Sequence, residues 1–326
     1  MPPVPTLTPP PDSPSDKQAI EILRNAIRDN GVDVVISNTV NVYHGAIAAE
    51  LEKVRHIWLI HEFPEQDFAY YRNKIKFISN HSDAVLSVAG ALNSRLFPLF
   101  WPRKIGSFLP YVDLDERTGA NQGKTAKRLV SIGLITDNKN QIELLKAYSL
   151  LADDIRSTLE VVFVGANVPD YKAVCDGFIR ENGLERVSYL GFQDKPWDCV
   201  TDSDILILPS KSEAFPCVFA EAAANGIPII ASNNPGHSTA HDYFGVGTLY
   251  PLGDAEALAH AITSMGSDFK EAKSSALEAR SSVRTAFSAK NAFSEIVREV
   301  ESSKRPRRKR HYGSFRLNKL IVKNGS

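Results

Sequence analysis

The chain has 326 residues, of which 43% are hydrophobic and 23% are charged, and this balance is ordinary for a soluble globular protein. The length allows about two domains. No apolar run reaches the ~20 residues that a membrane-spanning helix requires, and no signal-peptide pattern opens the chain. The three cysteines form no CxxC pair, which disfavours a disulfide framework or a zinc site. We therefore expect a cytoplasmic protein.

The two ends of the chain differ in composition from its body. Residues 1–16 are rich in proline and poor in apolar side chains, which predicts a disordered linker. Residues 304–326 form a basic tail with nine of the 38 Lys and Arg residues and no acidic residue, so the body is acidic. A disordered interdomain remnant is the first interpretation of the tail. Peripheral contact with the inner face of a membrane is the second, and we expect no nucleic-acid binding.

Short apolar runs alternate with helix-length amphipathic segments along the body. The first helix is predicted to follow Asp16, which we expect to cap it, and to end at Gly31. Near-continuous apolar strands between helices are typical of parallel sheets covered on both faces. The predicted strands are residues 32–37, 56–61, 83–88, 128–133, 159–165, 186–191, 204–209 and 227–232.

A polar, glycine-containing stretch at residues 110–127 marks the best domain boundary. The sequence thus predicts an α/β fold with two doubly wound, Rossmann-like parallel-sheet domains, at residues 17–112 and 113–287. A helix at residues 288–303 is expected to follow them. The first domain has few predicted strands for a doubly wound sheet, so we expect a shortened domain with part of it missing ahead of residue 17.

Several common catalytic motifs are absent from the sequence. It contains no GxGxxG, GxxxxGK[ST] or GxSxG pattern, which argues against dinucleotide, P-loop and hydrolase chemistry. Asp202-Ser203-Asp204 has the DxD spacing of a known metal-binding motif. Because it precedes a predicted buried strand, we interpret it as a helix cap and expect no metal site there.

The most informative segment is PSKSEAFPCVFAEAAANGIPIIAS, residues 209–232. Glu213 lies in the loop after a predicted strand, and Glu221 lies on the following helix, one turn beyond Cys217. A helix start beside the carboxyl ends of parallel strands favours an anion. Ionised carboxylates only accept hydrogen bonds, so both glutamates suit ligand hydroxyl groups.

The E-x7-E spacing of Glu213 and Glu221, in this context, resembles the signature of family-4 retaining glycosyltransferases (glycosyltransferase group 1). Residues 128–148 and 189–210 resemble, in order, the segments of that family that meet the diphosphate and the nucleotide base. The resemblance implies a GT-B fold and sugar transfer, with retention of configuration, from a nucleoside diphosphate sugar to a glycan or lipid-linked acceptor. It implies no cofactor and no metal ion.

The same resemblance assigns roles to individual residues. Glu213 is expected to hold the donor sugar beside the reacting centre, and His61 of the first domain is expected to contact that sugar. Cys217 lies at a helix start, which lowers a thiol pKa, although a packing role is favoured for its side chain. The implied donor-binding residues are Gly133 and Lys139 at the diphosphate, Glu221 at the ribose, Gly191 and Phe192 at the base, and the backbone of Cys217 and Val218 at the phosphates or sugar.

Two positions depart from the family pattern. Leu134 stands where an arginine is common after the glycine turn, and Thr239 stands near the place of an expected glutamate. Together with the shortened first domain, these departures support an alternative. In that interpretation the chain is a non-catalytic, glycosyltransferase-like module that binds nucleotide or a neighbouring transferase domain. The combination of Glu213, Glu221 and Lys139 favours the enzyme.

Overall fold

A computed structural model describes residues 14–111 and 123–302. Most of the predicted linker and the whole basic tail lie outside these residues. Within them, the chain forms two compact units: the first comprises residues 14–109 and 293–302, and the second comprises residues 110–111 and 123–292. Each unit contains one parallel sheet flanked by helices, so the predicted fold class of two parallel-sheet α/β domains is confirmed.

The first unit contains a four-stranded sheet in the order β1-β2-β3-β4. Every residue of β2 and β3 is buried, and both strands are mainly apolar, with Arg55, His56 and Ser87 as their buried polar members. The strands are β1 (Val34–Asn38), β2 (Arg55–Ile60), β3 (Ala84–Val88) and β4 (Gly106–Phe108). The helices are α1 (Pro14–Asp29), α2 (His44–Glu52), α3 (Ile75–Asn80) and α4 (Ala91–Phe100), with a 3₁₀ segment at Gln66–Lys74 and a C-terminal helix at Ser294–Glu301.

The second unit contains a six-stranded parallel sheet and the longer helices. Its strands are β5 (Arg128–Ile132), β6 (Glu160–Val164), β7 (Val187–Tyr189), β8 (Asp204–Leu208), β9 (Ile229–Ser232) and β10 (Thr248–Tyr250). Its helices are α5 (Gln141–Ser149), α6 (Asp153–Arg156), α7 (Pro169–Glu181), α8 (Cys217–Ala224), α9 (Pro235–Phe244), α10 (Ala255–Ser267), α11 (Phe269–Ala286) and α12 (Ala289–Ala292), with a 3₁₀ segment at Pro196–Cys199. The C-terminal helix of the first unit is therefore α13.

The strand order of the second sheet is β10-β9-β8-β5-β6-β7. The chain runs outward from β5 through β6 to β7, then returns to β8 on the other side of β5. The loops after β5 and β8 consequently diverge at the carboxyl edge of the sheet. Open α/β sheets bind ligands in the crevice at such a switch point.

The amino ends of β5 and β8 are joined by a buried ion pair. Arg128 donates from Nε to Oδ1 of Asp204 at 2.8 Å and from Nη2 to Oδ2 at 2.6 Å. Asp204 is fully buried, and its carboxylate also accepts from the backbone N–H of Thr201. Two parallel hydrogen bonds fix both partners in direction as well as distance. The pair holds together the strands whose opposite ends form the switch point.

Three details differ from the sequence-based expectations. Asp16 lies inside α1 instead of capping it, and its Oδ1 accepts a hydrogen bond from the Tyr43 hydroxyl at 2.8 Å. The segment 288–303 contains two helices, and α12 belongs to the second unit whereas α13 belongs to the first. The three-residue strands β4 and β10 were not predicted. Among the described residues, no helix has the length and apolarity needed to cross a bilayer.

Candidate functional site

The loop that follows β5 begins with a glycine turn. Gly133 has φ +138°, a conformation that side-chain-bearing residues rarely adopt. The turn after β6 packs closely against it, because a Cβ on Gly165 would lie 2.1 Å from the Gly133 carbonyl oxygen. This tight packing fixes the start of the loop that carries Lys139.

The loops after β5 and β8 are hydrogen-bonded to each other. The backbone N–H of Lys211 donates to the Asn138 carbonyl at 2.7 Å, and Asn138 Nδ2 donates to the Ser212 carbonyl at 3.1 Å. Asn140 Nδ2 adds a bond of 3.2 Å to the Pro209 carbonyl. The two loops at the switch point are therefore held in a defined relative position.

This arrangement brings a cation and a carboxylate together. Lys139 Nζ lies 2.6 Å from Oε1 of Glu213, and the two side chains are 31% and 15% exposed. Both line a cavity of about 240 Å³, together with Cys217, Val218 and the buried His237. The structure thus brings Lys139, predicted for the diphosphate, next to Glu213, predicted for the sugar, at the carboxyl ends of β5 and β8.

The start of α8 forms one wall of this cavity. Pro216 precedes the helix, and no side chain caps its first turn. The buried alanines of α8 let neighbouring backbone approach closely. A helix start of this kind presents amide N–H groups and the positive end of the helix dipole to an anion. The loop of Glu213 also packs closely against the start of α9, where a Cβ on Gly236 would lie 2.2 Å from the Glu213 carbonyl oxygen.

Glu221 lies one turn further along α8, outside the lining of this cavity. Its Oε2 accepts a hydrogen bond of 2.8 Å from the indole N–H of Trp197. Burial raises the pKa of the Glu221 carboxyl, and the Trp197 hydrogen bond acts in the opposite direction. Trp197 was not among the residues singled out from the sequence, since nothing in its local pattern links it to a glutamate 24 residues away.

His237 is a second residue that the sequence analysis missed. It is fully buried, and burial lowers its pKa to about 4, so the imidazole is neutral at physiological pH. Its Nδ1 contacts Asn234 Nδ2 and the Ser232 carbonyl oxygen, each at 2.9 Å, whereas its Nε2 has no hydrogen-bond partner among the described residues. In the sequence, the only feature near His237 is the apolar strand before it, and such a strand does not distinguish a histidine that lines a cavity from one buried in the core.

The thiol of Cys217 behaves differently from an isolated cysteine at a helix start. Burial raises its pKa to about 11, and the nearby carboxylates of Glu221 and Glu213 act in the same direction. These effects outweigh the influence of Lys139, which lowers the pKa. The tendency of a helix start to lower a thiol pKa is therefore overridden at this position, and the side chain remains a neutral thiol at pH 7.

The remaining predicted residues lie elsewhere. Gly191, with φ +69°, and Phe192, whose side chain is 71% exposed, follow β7 at the same sheet edge but do not line the cavity. His61 belongs to the first unit and follows β2; its Nε2 lies 2.5 Å from Asn38 Oδ1 and its ring packs edge-on against Phe108. Burial lowers the pKa of His61.

The DxD segment carries structural interactions. Asp204 is bonded to Arg128, as described above, and Asp202 Oδ1 lies 3.3 Å from Nζ of the buried Lys273. Within residues 14–111 and 123–302, no group of three or more His, Cys, Asp or Glu side chains is placed to share a metal ion.

Comparison with known proteins identifies the family. The family model of the glycosyl transferases group 1 matches residues 114–281, which is more than half of the chain. The chain belongs to the group 1 glycosyl transferases. Residues of the Lys139–Glu213 cavity and Glu221 all fall within the matched region. The predicted resemblance to glycosyltransferase group 1 is therefore confirmed.

Curated relatives of this family member include enzymes of polysaccharide biosynthesis. Capsular polysaccharide biosynthesis glycosyltransferase CapH of Staphylococcus aureus is 25% identical over 177 residues, covering 53% of this chain and 50% of CapH. N-acetyl-alpha-D-glucosaminyl L-malate synthase of Bacillus anthracis is 24% identical over 235 residues, covering 68% and 60% of the two chains. The chain thus spans half to three fifths of the length of these relatives.

Solved structures share the fold of this group 1 glycosyl transferase. HepE of Anabaena, in complex with UDP and glucose, superposes with a TM-score of 0.75 at 17% identity, covering 89% of this chain and 84% of HepE. TarM superposes with a TM-score of 0.74 at 14% identity, covering 87% of this chain and 58% of TarM. These similarities confirm the GT-B architecture.

Proposed function

We propose that the chain is a retaining glycosyltransferase, of family 4, that moves a sugar from a nucleoside diphosphate sugar to a glycan or lipid-linked acceptor. The observation that carries this proposal is the 2.6 Å pair of Lys139 Nζ and Glu213 Oε1. The pair lies at a topological switch point, beside the uncapped start of α8, in a cavity of about 240 Å³. A cation, a helix start and a carboxylate in one cavity suit a ligand that carries both phosphates and hydroxyl groups.

The role of Lys139 follows from where charge develops in the reaction. Cleavage of the donor releases a nucleoside diphosphate, which gains negative charge in the transition state. A positioned cation and the amide N–H groups at the start of α8 stabilise that charge. Lys139 and the backbone of Cys217 and Val218 therefore stabilise the leaving group. We expect no metal ion to be required for this step.

The two glutamates have different tasks in this scheme. Glu213, at the cavity, accepts hydrogen bonds from hydroxyl groups of the transferred sugar next to the reacting carbon. Glu221, further along α8, accepts from the ribose hydroxyls. Gly191 and Phe192, after β7, contact the base, and His61 of the first unit contacts the donor sugar. The raised pKa of Glu221 makes the indole N–H of Trp197 important for keeping this carboxylate ionised.

The names of related proteins support the donor class. HepE was solved with UDP and glucose and with UDP-glucose, and a TarM mutant of S. aureus was solved with UDP, Fondaparinux and alpha-GlcNAc-glycerol. CapH and AmsK of Erwinia amylovora are named for capsular polysaccharide and amylovoran biosynthesis. These names favour a nucleotide sugar as donor and a glycan-type acceptor for this chain.

Donor binding and turnover test the proposal separately. Thermal-shift measurements with UDP-, GDP- and dTDP-sugars should raise the melting temperature for the cognate donor, because a ligand of the native state stabilises it. Initial rates of donor consumption then compare the wild type with Glu213→Gln and with Glu256→Gln, an exposed control on α10. Glu213→Gln should bind the donor and turn it over about 100-fold more slowly.

The outcomes distinguish the alternatives. Donor binding without turnover by the wild type, with or without candidate acceptors, would favour the non-catalytic module that binds nucleotide or a neighbouring transferase domain. Absence of binding to every nucleotide sugar would contradict both the transferase and a nucleotide-binding module, and would leave only a module that binds a neighbouring transferase domain. Equal rates for Glu213→Gln and Glu256→Gln would show that the Lys139–Glu213 cavity is not the reacting site.

A further inference from the structure

Trp197 connects two segments that lie far apart in the sequence. It belongs to the 3₁₀ segment Pro196–Cys199, and its indole Nε1 donates to Oε2 of Glu221 on α8 at 2.8 Å. The tryptophan is only 8% exposed, and its carbonyl oxygen accepts from the backbone N–H of the buried Val200 at 3.2 Å. A buried, backbone-anchored ring gives the indole N–H a fixed direction.

The hydrogen bond from Trp197 restricts the otherwise flexible carboxylate of Glu221. A glutamate side chain has three rotatable bonds, and ordering them costs conformational entropy. No other side-chain hydrogen bond to Glu221 is present in the described part of the chain. The indole N–H therefore selects one placement of the carboxylate before any ligand binds. It occupies one acceptor position on Oε2 and leaves Oε1 available.

Building on the ribose role of Glu221 in the proposed function, we propose that Trp197 is a positioning residue that makes the donor site select ribonucleotides. The indole N–H holds Oε2 so that Oε1 meets the ribose hydroxyls at a fixed angle. An ionised carboxylate only accepts hydrogen bonds, so a ribose that lacks a hydroxyl leaves part of this preorganised acceptor unused. UDP and GDP donors are preferred over their 2′-deoxy counterparts for this reason.

The first experiment measures affinity by calorimetry. UDP, GDP and the 2′-deoxy form of each are titrated into the wild type, Trp197→Phe and Trp58→Phe. The phenylalanine keeps an aromatic ring and removes the N–H. Trp58 is the matched control, since it is a buried tryptophan of the first unit whose indole donates to the Thr39 carbonyl at 2.9 Å.

Trp197→Phe should weaken binding of the preferred nucleotide about tenfold, because a hydrogen bond to a charged group is lost. The preference for the ribose form over the deoxy form should fall toward unity in Trp197→Phe and stay unchanged in Trp58→Phe. Combining Trp197→Phe with Glu221→Ala should cause no further loss beyond that of Glu221→Ala alone. A purely structural tryptophan would lower affinity for both nucleotide forms equally and leave their ratio intact.

A second measurement uses the wild type, so it does not depend on a variant folding. The chain has three tryptophans, and their indole N–H signals are assignable by NMR. Saturation with the preferred nucleotide should shift the signal of Trp197 and not that of Trp58, with a smaller shift for the 2′-deoxy form. An unmoved Trp197 signal, or an unchanged ribose preference in Trp197→Phe, would overturn this inference alone. Failure of the wild type to bind any of the four nucleotides, together with failure to bind any nucleotide sugar in the thermal-shift screen, would overturn the proposed function and this inference with it.

Discussion

The two units use the same construction, a parallel sheet with polar residues after its strands, yet they place different chemistry there. At the carboxyl edge of the second sheet, Lys139 and Glu213 meet at 2.6 Å beside a helix start. At the same edge of the first sheet, His61 has a pKa lowered by burial and pairs with the neutral side chain of Asn38. The second unit therefore offers a cation next to a carboxylate, whereas the first offers the imidazole of His61 beside Glu62, whose carboxylate already accepts from Thr39 and Val40.

Strand order explains this difference. The first sheet has the sequential order β1-β2-β3-β4, so successive loops follow one another along the edge and no crevice opens between described strands. The second sheet reverses direction between β5 and β8, and its two loops diverge around the cavity. A site for a charged ligand thus follows from topology, and the residues after these two strands supply its chemistry.

The largest effect is expected from the buried ion pair that joins β5 to β8. Asp204→Ala should lower the free energy of unfolding by about 3 kcal/mol, because it removes a fully buried carboxylate and leaves the partly buried Arg128 guanidinium and the Thr201 N–H without their acceptor. Denaturant titration measures this change. Glu299→Gln is the counterpart in the first unit, where Arg55 retains bonds to the Glu299 and Ser302 carbonyl oxygens at 2.5 and 2.9 Å. Similar losses in both variants would show that the ion pairs of the two units contribute equally to stability.

Lys139 provides the next prediction. Lys139→Ala should lower turnover of the donor by roughly 100- to 1,000-fold, because a preorganised charge beside the leaving group is lost. Initial-rate kinetics at saturating donor measure the effect. Lys211→Ala is the control, since Lys211 is paired with the exposed Asp137 in the same loop region. An equal loss of rate in both variants would point to general electrostatic attraction instead of a specific contact.

The buried histidine of the second unit predicts acid sensitivity. With a pKa of about 4 in the native state, His237 takes up a proton in the unfolded chain first, from about pH 6.5 downward. The stabilising contribution of the neutral His237 is therefore fully present above pH 6.5. It is lost as the pH falls toward 4, which lowers the free energy of unfolding by roughly 3 kcal/mol in total. Thermal unfolding of wild type and His237→Gln across this range measures the loss, which should be smaller in the variant.

Two further variants serve as references for that experiment. His260→Gln, on the exposed face of α10, should follow the wild type at every pH. His61→Gln should reduce the acid sensitivity less than His237→Gln, because His61 is only half-buried. If His61→Gln had the greater effect, the comparison between the units would be reversed.

The sequence predicted the parts of this molecule that rest on continuous patterns. Apolar runs located β1, β2, β3 and the strands from β5 to β9, and the segment around Glu213 and Glu221 located α8 and its loops. The strands β4 and β10 were missed, since three residues such as Gly106–Phe108 are too few to show a period. The helix at residues 288–303 proved to be two helices, because side-chain periodicity does not reveal a short break between them.

Individual contacts were harder to predict than elements. Lys139 and Glu213 lie 74 residues apart, and only the family resemblance indicated that they meet. Trp197 and His237 were missed because their importance depends on a partner or a cavity formed by distant segments. The raised pKa of the Cys217 thiol likewise comes from burial and two carboxylates, which the local helix start does not reveal.

The central claim is that the second unit binds the nucleoside diphosphate, and calorimetric titration with UDP and GDP tests it most directly. These ligands lack the transferred sugar, so contacts to that sugar do not contribute. Lys139→Ala and Glu221→Ala should each weaken binding at least about tenfold, as expected when a charged hydrogen-bonding partner is lost. His61→Ala should bind as tightly as the wild type. Unchanged affinity in Lys139→Ala and Glu221→Ala, or a loss in His61→Ala as large as theirs, would contradict the account.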